Sequence, residues 1–539
     1  LCTDCDREGE SISWHLKEEL NIPAKKIRRC TYTEVTKKAV EEALANPRKI
    51  DMNLVSAAET RSKLDKIVGY RLSPVARNKV SCRSVGRCQS PALKMVVERE
   101  NEIINFESKT FYEIWLSFSK QTKNQDEINN IYKAQYKGLT KDKKNINTID
   151  NKEDAEAVIA NCSSKDFVVK DIISKDRIVS PKPPFITSTF QQEVSSKLGY
   201  SVKSAMNIAQ KLFEGIQIGG QHVGLVSYLR TDSTSMDPEF QETLKTYIKE
   251  NYGDRYLGSL KTVKKSKNAQ EGHECFRVVD LSMTPEKLSS YINDSQMLKV
   301  YKLIYNRTIS SMMSDAVITD TDYVIDNSGY KFIYTEHAIK FDGFRKVYSL
   351  DDEEITNSID LFIKEKVDCK DLLLEEKHTN PPKRYSEATL VSQLEKLSIG
   401  RPSTYSSIIS TLLDPGRGYC EEQGKSIAPT EKGMRLSKFL DEAFPNIINY
   451  DYSANLEENL DNIAKGKLND VDFLKEFYSD LEDSIKKAKG VEANKPIAET
   501  AEGHTCPKCG KTLVIRKGRF GPFMACPGYP KCKYTEKVE

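Results

Sequence analysis

Two stretches of strand-forming sequence lie far apart in the chain with a helical block between them, and this interruption limits the fold more than any other feature. Residues 111–118 (Phe111-Tyr112-Glu113-Ile114-Trp115-Leu116-Ser117-Phe118) mix aromatic, β-branched and polar side chains as a half-buried strand does, and residues 166–179 have the same character. Short β-rich runs return within 316–367, around Tyr323-Val324-Ile325 and Tyr330-Lys331-Phe332-Ile333-Tyr334. Pro181-Lys182-Pro183-Pro184 bounds the first stretch and Asn380-Pro381-Pro382 bounds the second, because proline punctuates regular structure. Between them a helical pattern runs to about residue 312. One economical reading is a single β domain interrupted by a helical insertion.

Helical periodicity marks the rest. Residues 11–20 place Ile12, Leu16 and Leu20 on one face. Residues 34–45 and 54–70 follow; Leu64, Ile67 and Val68 give the second its spacing, and Gly69 is expected to end it. Residues 90–104 and the block from the second proline break to about 488 also read as helical. Residues 120–155 are rich in Lys, Asn and Asp and read as a surface loop or a poor strand pair, and 489–504 as a polar linker. At 539 residues, about three to five domains are expected. No apolar run approaches the ~18 residues of a membrane-spanning helix, which excludes an integral membrane protein of that kind. With a net charge of +3, any nucleic-acid site must come from local clustering. Residues 71–100 supply one, with seven Lys/Arg against two Asp/Glu.

The thirteen cysteines, an odd number and mostly dispersed, argue against a disulfide framework and for a reducing compartment. Four of them cluster as Cys506-x2-Cys509 and, sixteen residues on, Cys526-x5-Cys532. Two such pairs can offer four thiolates to one tetrahedral Zn²⁺, and four protein ligands leave no open position, so the site reads as structural. Around it, residues 501–539 carry eight Lys/Arg against three Asp/Glu, with Phe520, Phe523, Tyr529 and Tyr534 interleaved. Basic charge and stacking rings suit single-stranded nucleic acid; the same rings can equally build the ribbon's own core.

The opening Thr3-Asp4-Cys5-Asp6-Arg7-Glu8-Gly9-Glu10 alternates Asp4, Asp6 and Glu8. In an extended loop these carboxylates would share one side and make a hard oxygen site suited to Mg²⁺; they could also be the acids that favour a helix N-terminus.

This opening, with Ile12, Trp14, His15 and Leu16, resembles the Toprim signature of type IA DNA topoisomerases. Gly69-Tyr70-x-Leu72-Ser73-Pro74 and Ser84-x-Gly86-Arg87-x-Gln89-Ser90 resemble the family's DNA-groove motifs. Pro184-Phe185-x-Thr187-Ser188-Thr189-x-Gln191-Gln192-Glu193 leads to Gly224-Leu225-x-x-Tyr228-x-Arg230-Thr231-Asp232-Ser233, similar to the segment around the catalytic tyrosine. Ala269-Gln270-x-x-His273-Glu274-x-x-Arg277, Tyr385-Ser386-Glu387-Ala388-Thr389-Leu390 and Gly400-Arg401-Pro402-Ser403-Thr404-Tyr405 complete the set, and the four-cysteine element resembles the family's zinc ribbon. The resemblance covers almost the whole chain.

It implies an enzyme that cuts one DNA strand with a tyrosine, holds the 5′ phosphate as a phosphotyrosine, passes another strand and reseals without ATP. Tyr228 is then the nucleophile, Arg230 the group that neutralises transition-state charge, and His273 a phosphate contact or proton carrier. Asp4, Asp6 and Glu8 hold Mg²⁺, Cys506, Cys509, Cys526 and Cys532 hold Zn²⁺, and Arg61, Asp65, Arg87, Gln89, Arg401 and Thr404 line the DNA groove. The chemistry agrees: a phenol of pKa near 10 needs help at neutral pH, and a guanidinium beside it can supply it.

The implied fold is multidomain α+β, a toroid around a hole able to hold DNA. Residues 1–50 form a partial Toprim α/β domain, 51–107 and 384–488 the helical groove domain, and 108–187 and 315–383 the β-rich hinge. Residues 188–314 form the helical gate, 489–504 a linker and 505–539 the ribbon. The partners implied are single-stranded and negatively supercoiled DNA, for a monomer in the cytoplasm on the chromosome. The family's Toprim domain starts earlier, with a strand bearing a glutamate and a nearby lysine that this sequence does not include; the expectation is a fragment with little turnover by itself. Alternatives are a topoisomerase III-like decatenase, an RNA-acting relative, or a non-catalytic single-strand DNA-binding remnant.

Overall fold

The strands of the two separated β stretches close into one barrel in the computed structural model of the chain, which describes residues 1–121, 130–142, 144–162, 166–261, 274–348, 358–492, 500–518, 521–528 and 531–537. The barrel strands are Thr110–Lys120, Tyr132–Leu139, Phe167–Val179, Ala316–Asn327, Tyr330–Phe341 and Lys366–His378. All neighbours pair antiparallel, and the first strand pairs with both the second and the last. Closure leaves no unpaired edge. Alternation sends Ile114, Leu116, Phe118, Phe332 and Tyr334 into a shared core. Tyr132–Leu139 obeys the same rule, with Tyr132, Ala134 and Tyr136 inward and Lys133, Gln135 and Lys137 outward. The polar stretch 120–155, expected as a loop or poor strand pair, therefore supplies a barrel strand and the start of the Lys152–Cys162 helix.

The helical insertion runs between two barrel strands whose ends are register partners, Val179 opposite Ala316. Its core gathers Phe185, Phe190, Leu212, Leu225, Tyr301 and Ile304. A second helical core is built from both sides of the barrel sequence, with Leu64, Val68, Leu72 and Leu93 packing on Leu390, Leu436, Leu460 and Leu481.

The Met52–Val80 helix continues through Gly69 and Pro74, contrary to the expected stop at Gly69. The stripe Leu64, Val68, Leu72, Ala76 and Val80 stays fully buried across that point. Burying three further apolar side chains outweighs the roughly 1 kcal/mol that glycine costs a helix.

Residues 1–50 are held mainly by charge. Arg29 is fully buried and donates to Glu10 at 3.1 Å and to the carbonyls of Thr3 and Asp4, and Arg48 also donates to Glu10. This stretch carries the helices Arg7–Glu19 and Lys37–Ala45 and isolated bridges, but no sheet strand, so only the helical half of the expected α/β remnant is present. Ile12, Leu16 and Leu20 lie exposed, not against a core.

The C-terminal element is a four-stranded antiparallel sheet, Thr500–Thr505, Thr512–Gly518, Gly521–Ala525 and Thr535–Lys537. Its first strand begins inside the stretch expected to be linker. Among the described residues, no helix is long and apolar enough to cross a membrane.

Candidate active site

Tyr228 sits on an extended segment stitched to its surroundings through the backbone. Gly224 N donates to Val35 O at 3.0 Å, Tyr228 N to Thr33 O at 2.6 Å, and Ser227 N to Arg277 O at 2.8 Å. A Cβ on Gly224 would lie 2.9 Å from Val35 O, so only glycine permits this approach. The Tyr228 ring is 3% exposed and packs edge-on against Phe213 at 5.5 Å. Its hydroxyl donates to Asp6 Oδ2 at 2.8 Å. Burial, then the charges of Asp6 and Asp4, push the phenol well above its ordinary pKa, while Arg230 opposes them.

Asp6 is the N-cap of the Arg7–Glu19 helix and accepts from Gly9 N at 2.8 Å. Gly9 lets the loop fold this tightly, since a Cβ there would lie 2.2 Å from Asp4 O. Arg230 Nη1 stands 3.5 Å from Asp6 Oδ2 and 3.9 Å from Asp4 Oδ2. Burial and then the neighbouring Asp6 raise the Asp4 carboxyl, against the lowering pull of Arg230 and Arg29. Glu8 does not join the two aspartates on one extended face as expected. It lies in the first helical turn and binds Arg61 at 2.7 Å. Among the described residues, the three acids do not converge as a ready-made ligand set. The donor set still suits a hard cation, with two neighbouring carboxylates, one of them raised, and a third in the first turn of the helix.

Arg61, Asp65, Arg77, Arg83, Arg230 and Thr404 line an open cleft of about 950 Å³, to which Glu8 also contributes. Three of the expected groove residues are therefore on the cleft wall: Arg61, Asp65 and Thr404. Gln89 accepts from Arg417 Nη1 at 3.0 Å. Arg87 and Arg401, expected to contact DNA, are instead almost fully buried. Arg87 donates to Glu457 at 2.6 Å and Asp65 at 3.1 Å, and Arg401 to Asp461 at 2.8 Å. In this arrangement their guanidiniums support the cleft from beneath. His273 lies outside the described residues, as do Phe520 and Tyr529. Its motif neighbours Glu274 and Arg277 pair at 2.9 Å, with Arg277 3.8 Å above the Phe240 ring.

The sulfur atoms of Cys506, Cys509, Cys526 and Cys532 lie within 4.8 Å of one another, on the two predicted knuckles. Gly510 turns the first at φ +72°, where a left-handed residue is needed. Gly528 N donates to Cys526 Sγ at 3.4 Å. Leu513 and Met524 complete the small core, and Tyr534 packs on it rather than standing free.

Sequence reasoning missed Glu457 and Asp461, and gave no role to Arg7. The available signal was an i, i+4 pair of acids sharing the Tyr450–Ala464 helix with the buried Leu456, Leu460 and Ile463.

The chain thus joins an α+β body with a barrel-borne helical insertion, a buried tyrosine hydrogen-bonded to a carboxylate beside an arginine, and a four-cysteine ribbon. Comparison with known proteins makes the assignment particular. Residues 49–475 match the family described as DNA topoisomerase, and residues 503–539 the topoisomerase DNA-binding C4 zinc finger. The chain is 39% identical to DNA topoisomerase 1 of Campylobacter jejuni over 543 residues, covering all of this chain and 75% of that protein. It is 38% identical to the same-named proteins of Rickettsia felis and Mycoplasmoides gallisepticum, covering 72% and 77% of them. Full-length topoisomerase I from Thermotoga maritima superposes with a TM-score of 0.77 at 32% identity, over 100% of this chain and 85% of that one. The chain belongs to the type IA DNA topoisomerases, of the topoisomerase I kind.

Proposed function

We propose that this chain carries the strand-cutting and resealing machinery of an ATP-independent relaxase of negatively supercoiled DNA, with Tyr228 as the nucleophile. The observation that carries the residue assignment is the Tyr228 hydroxyl bonded to Asp6, beside Arg230, which itself lines the basic cleft. The single strand lies in the cleft. Tyr228 Oη attacks the scissile phosphorus, the P–O3′ bond breaks, and the 5′ phosphate stays on the tyrosine. Asp6, the acceptor within reach, takes the phenolic proton, and the leaving 3′ oxygen takes one from solvent. Arg230 offsets the charge that develops on the phosphoryl oxygens. Resealing runs the same step backward.

Asp4 and Asp6, with Glu8 released from Arg61, are the residues that would hold Mg²⁺, which supplies charge neutralisation and geometry for resealing. The four cysteines hold a structural Zn²⁺. Residues 188–314 act as the gate, 108–187 with 315–383 as the hinge, and 51–107 with 384–488 as the groove body. The enzyme works as a monomer on chromosomal DNA in the cytoplasm. The test is covalent trapping on a labelled single-stranded oligonucleotide: denaturation should leave a DNA–protein adduct whose phosphoamino acid maps to Tyr228. An adduct on another tyrosine would overturn the assignment.

A further inference from the structure

Glu457 and Asp461 sit one helical turn apart on Tyr450–Ala464 and hold three arginines from three separate places in the sequence. Glu457 is fully buried. Its Oε1 accepts from Arg87 Nη1 at 2.6 Å, and its Oε2 lies 4.0 Å from both Arg7 Nη2 and Arg401 Nε. Asp461 binds Arg401 at 2.8 Å and lies 3.6 Å from Arg7. Burial would raise the Glu457 carboxyl, yet the guanidiniums of Arg87, Arg401, Arg61 and Arg7 hold it below the usual carboxylate range.

Each arginine belongs to a different part of the machinery. Arg7 stands in the chain between Asp6 and Glu8, on the helix that Asp6 caps. Arg87 reaches on to Asp65 on the cleft wall, and Arg401 lies in the turn that presents Thr404 to the same cleft. The two acids are thus the common anchor of the acids facing Tyr228 and of the cleft floor. Among the described residues, neither terminal nitrogen of Arg7 has a hydrogen-bond acceptor, so the charge of these two acids is what holds it.

We propose that Glu457 and Asp461 are positioning residues of the cutting and resealing reaction: they lock Arg7 to Arg87 and Arg401, so that a strand seated in the cleft and the acids facing Tyr228 are held as one rigid unit. This rests on the reading of Tyr228 as nucleophile and of the cleft as the strand site. Outer partners that orient reacting groups are worth about 10–100-fold in activity or ligand affinity where they have been removed.

The test is hydrogen exchange by mass spectrometry on the full chain, with and without a single-stranded thymidine oligonucleotide, paired with the rate of adduct formation. In the unmodified chain the oligonucleotide should slow exchange both in the cleft helix, residues 58–77, and at the start of the acid-bearing helix, residues 6–13. In Glu457→Gln the cleft protection and the affinity should persist within a few-fold, while the protection at 6–13 disappears and adduct formation slows about 10–100-fold. Asp461→Asn should do the same, and it decides the question alone if Glu457→Gln does not fold. Retained protection at 6–13 in the variants, or none there in the unmodified chain despite protection at 58–77, overturns the proposal and leaves the cleft reading intact. No protection at 58–77 removes the cleft reading and the proposal together.

Discussion

Replacing Tyr228 with phenylalanine removes one oxygen and nothing else. The ring keeps its edge-on contact with Phe213 at 5.5 Å and its backbone bond to Thr33, so no cavity forms. What is lost is one buried hydrogen bond of 2.8 Å to a carboxylate. A bond to a charged group contributes about 1.5–3 kcal/mol. Asp6 is not orphaned, because Gly9 N still donates at 2.8 Å and Arg230 stays 3.5 Å away. The cost therefore falls at the low end, about 1.5 kcal/mol, equivalent to about a tenfold shift in the folding equilibrium. In thermal unfolding this reads as a fall of about 3–6 °C. In covalent trapping, the unmodified protein should yield an SDS-stable adduct with single-stranded DNA and Tyr228→Phe none, while oligonucleotide affinity is retained. An adduct in Tyr228→Phe refutes the nucleophile assignment. A fall in melting temperature several times larger would show that the hydroxyl bears structural weight that the geometry does not give it.

Elemental analysis should find one zinc per chain, and Cys526→Ser should release it and unfold the ribbon locally while the helical cores melt as before; zinc-free protein with an intact ribbon would contradict this. Gly9→Ala forces a Cβ to within 2.2 Å of Asp4 O, so the loop must move, at about 1–3 kcal/mol in urea unfolding, with resealing impaired more than oligonucleotide binding; an unchanged melting curve would count against it. Glu457 has a lowered folded pKa, so its stabilisation is fully present above the unfolded value near ~4.3 and is lost as pH falls through the folded value; the pH slope of urea unfolding below that point should flatten in Glu457→Gln. Arg77→Ala, on the exposed cleft wall, should weaken single-strand binding and reduce the slope of log K against log salt by about 0.7; an unchanged slope would show that Arg77 meets no phosphate.

The chemistry was more legible in the sequence than the packing. The cysteine spacing announced its thiolate cluster because ligand geometry is local, and the tyrosine and its arginine stood two residues apart on one extended segment. The interrupted β domain was legible because proline marks the ends of its halves. The Tyr132–Leu139 strand was not, since its outward lysines swamp an inward Tyr-Ala-Tyr pattern that only barrel closure makes decisive. Gly69 misled because glycine is a weak stop when buried side chains continue past it. Arg87 and Arg401 were expected on the groove, but the motif could not say that Glu457 and Asp461, some 370 and 60 residues downstream, draw them under the surface. Burial of charge is decided by partners remote in sequence, and a local reading has no access to them.

The pairing of Val179 with Ala316 has a mechanical consequence. The whole helical insertion leaves and rejoins the barrel through two strand ends that lie side by side, so in covalent terms it is one very large hairpin loop. A body hung on a paired ribbon can swing about the ribbon's width but resists being twisted or sheared, because the neighbouring ladder between Phe167–Val179 and Ala316–Asn327 would have to break. Bending is then concentrated in the few residues beyond the ladder, where Pro181, Pro183 and Pro184 donate no backbone hydrogen bonds that could stiffen the joint into sheet. The barrel then serves as a fixed mount, and on the proposed reading of Tyr228 a swing about this joint would carry it away from Asp6 and back along one repeatable arc, returning a severed end to the place where it was cut.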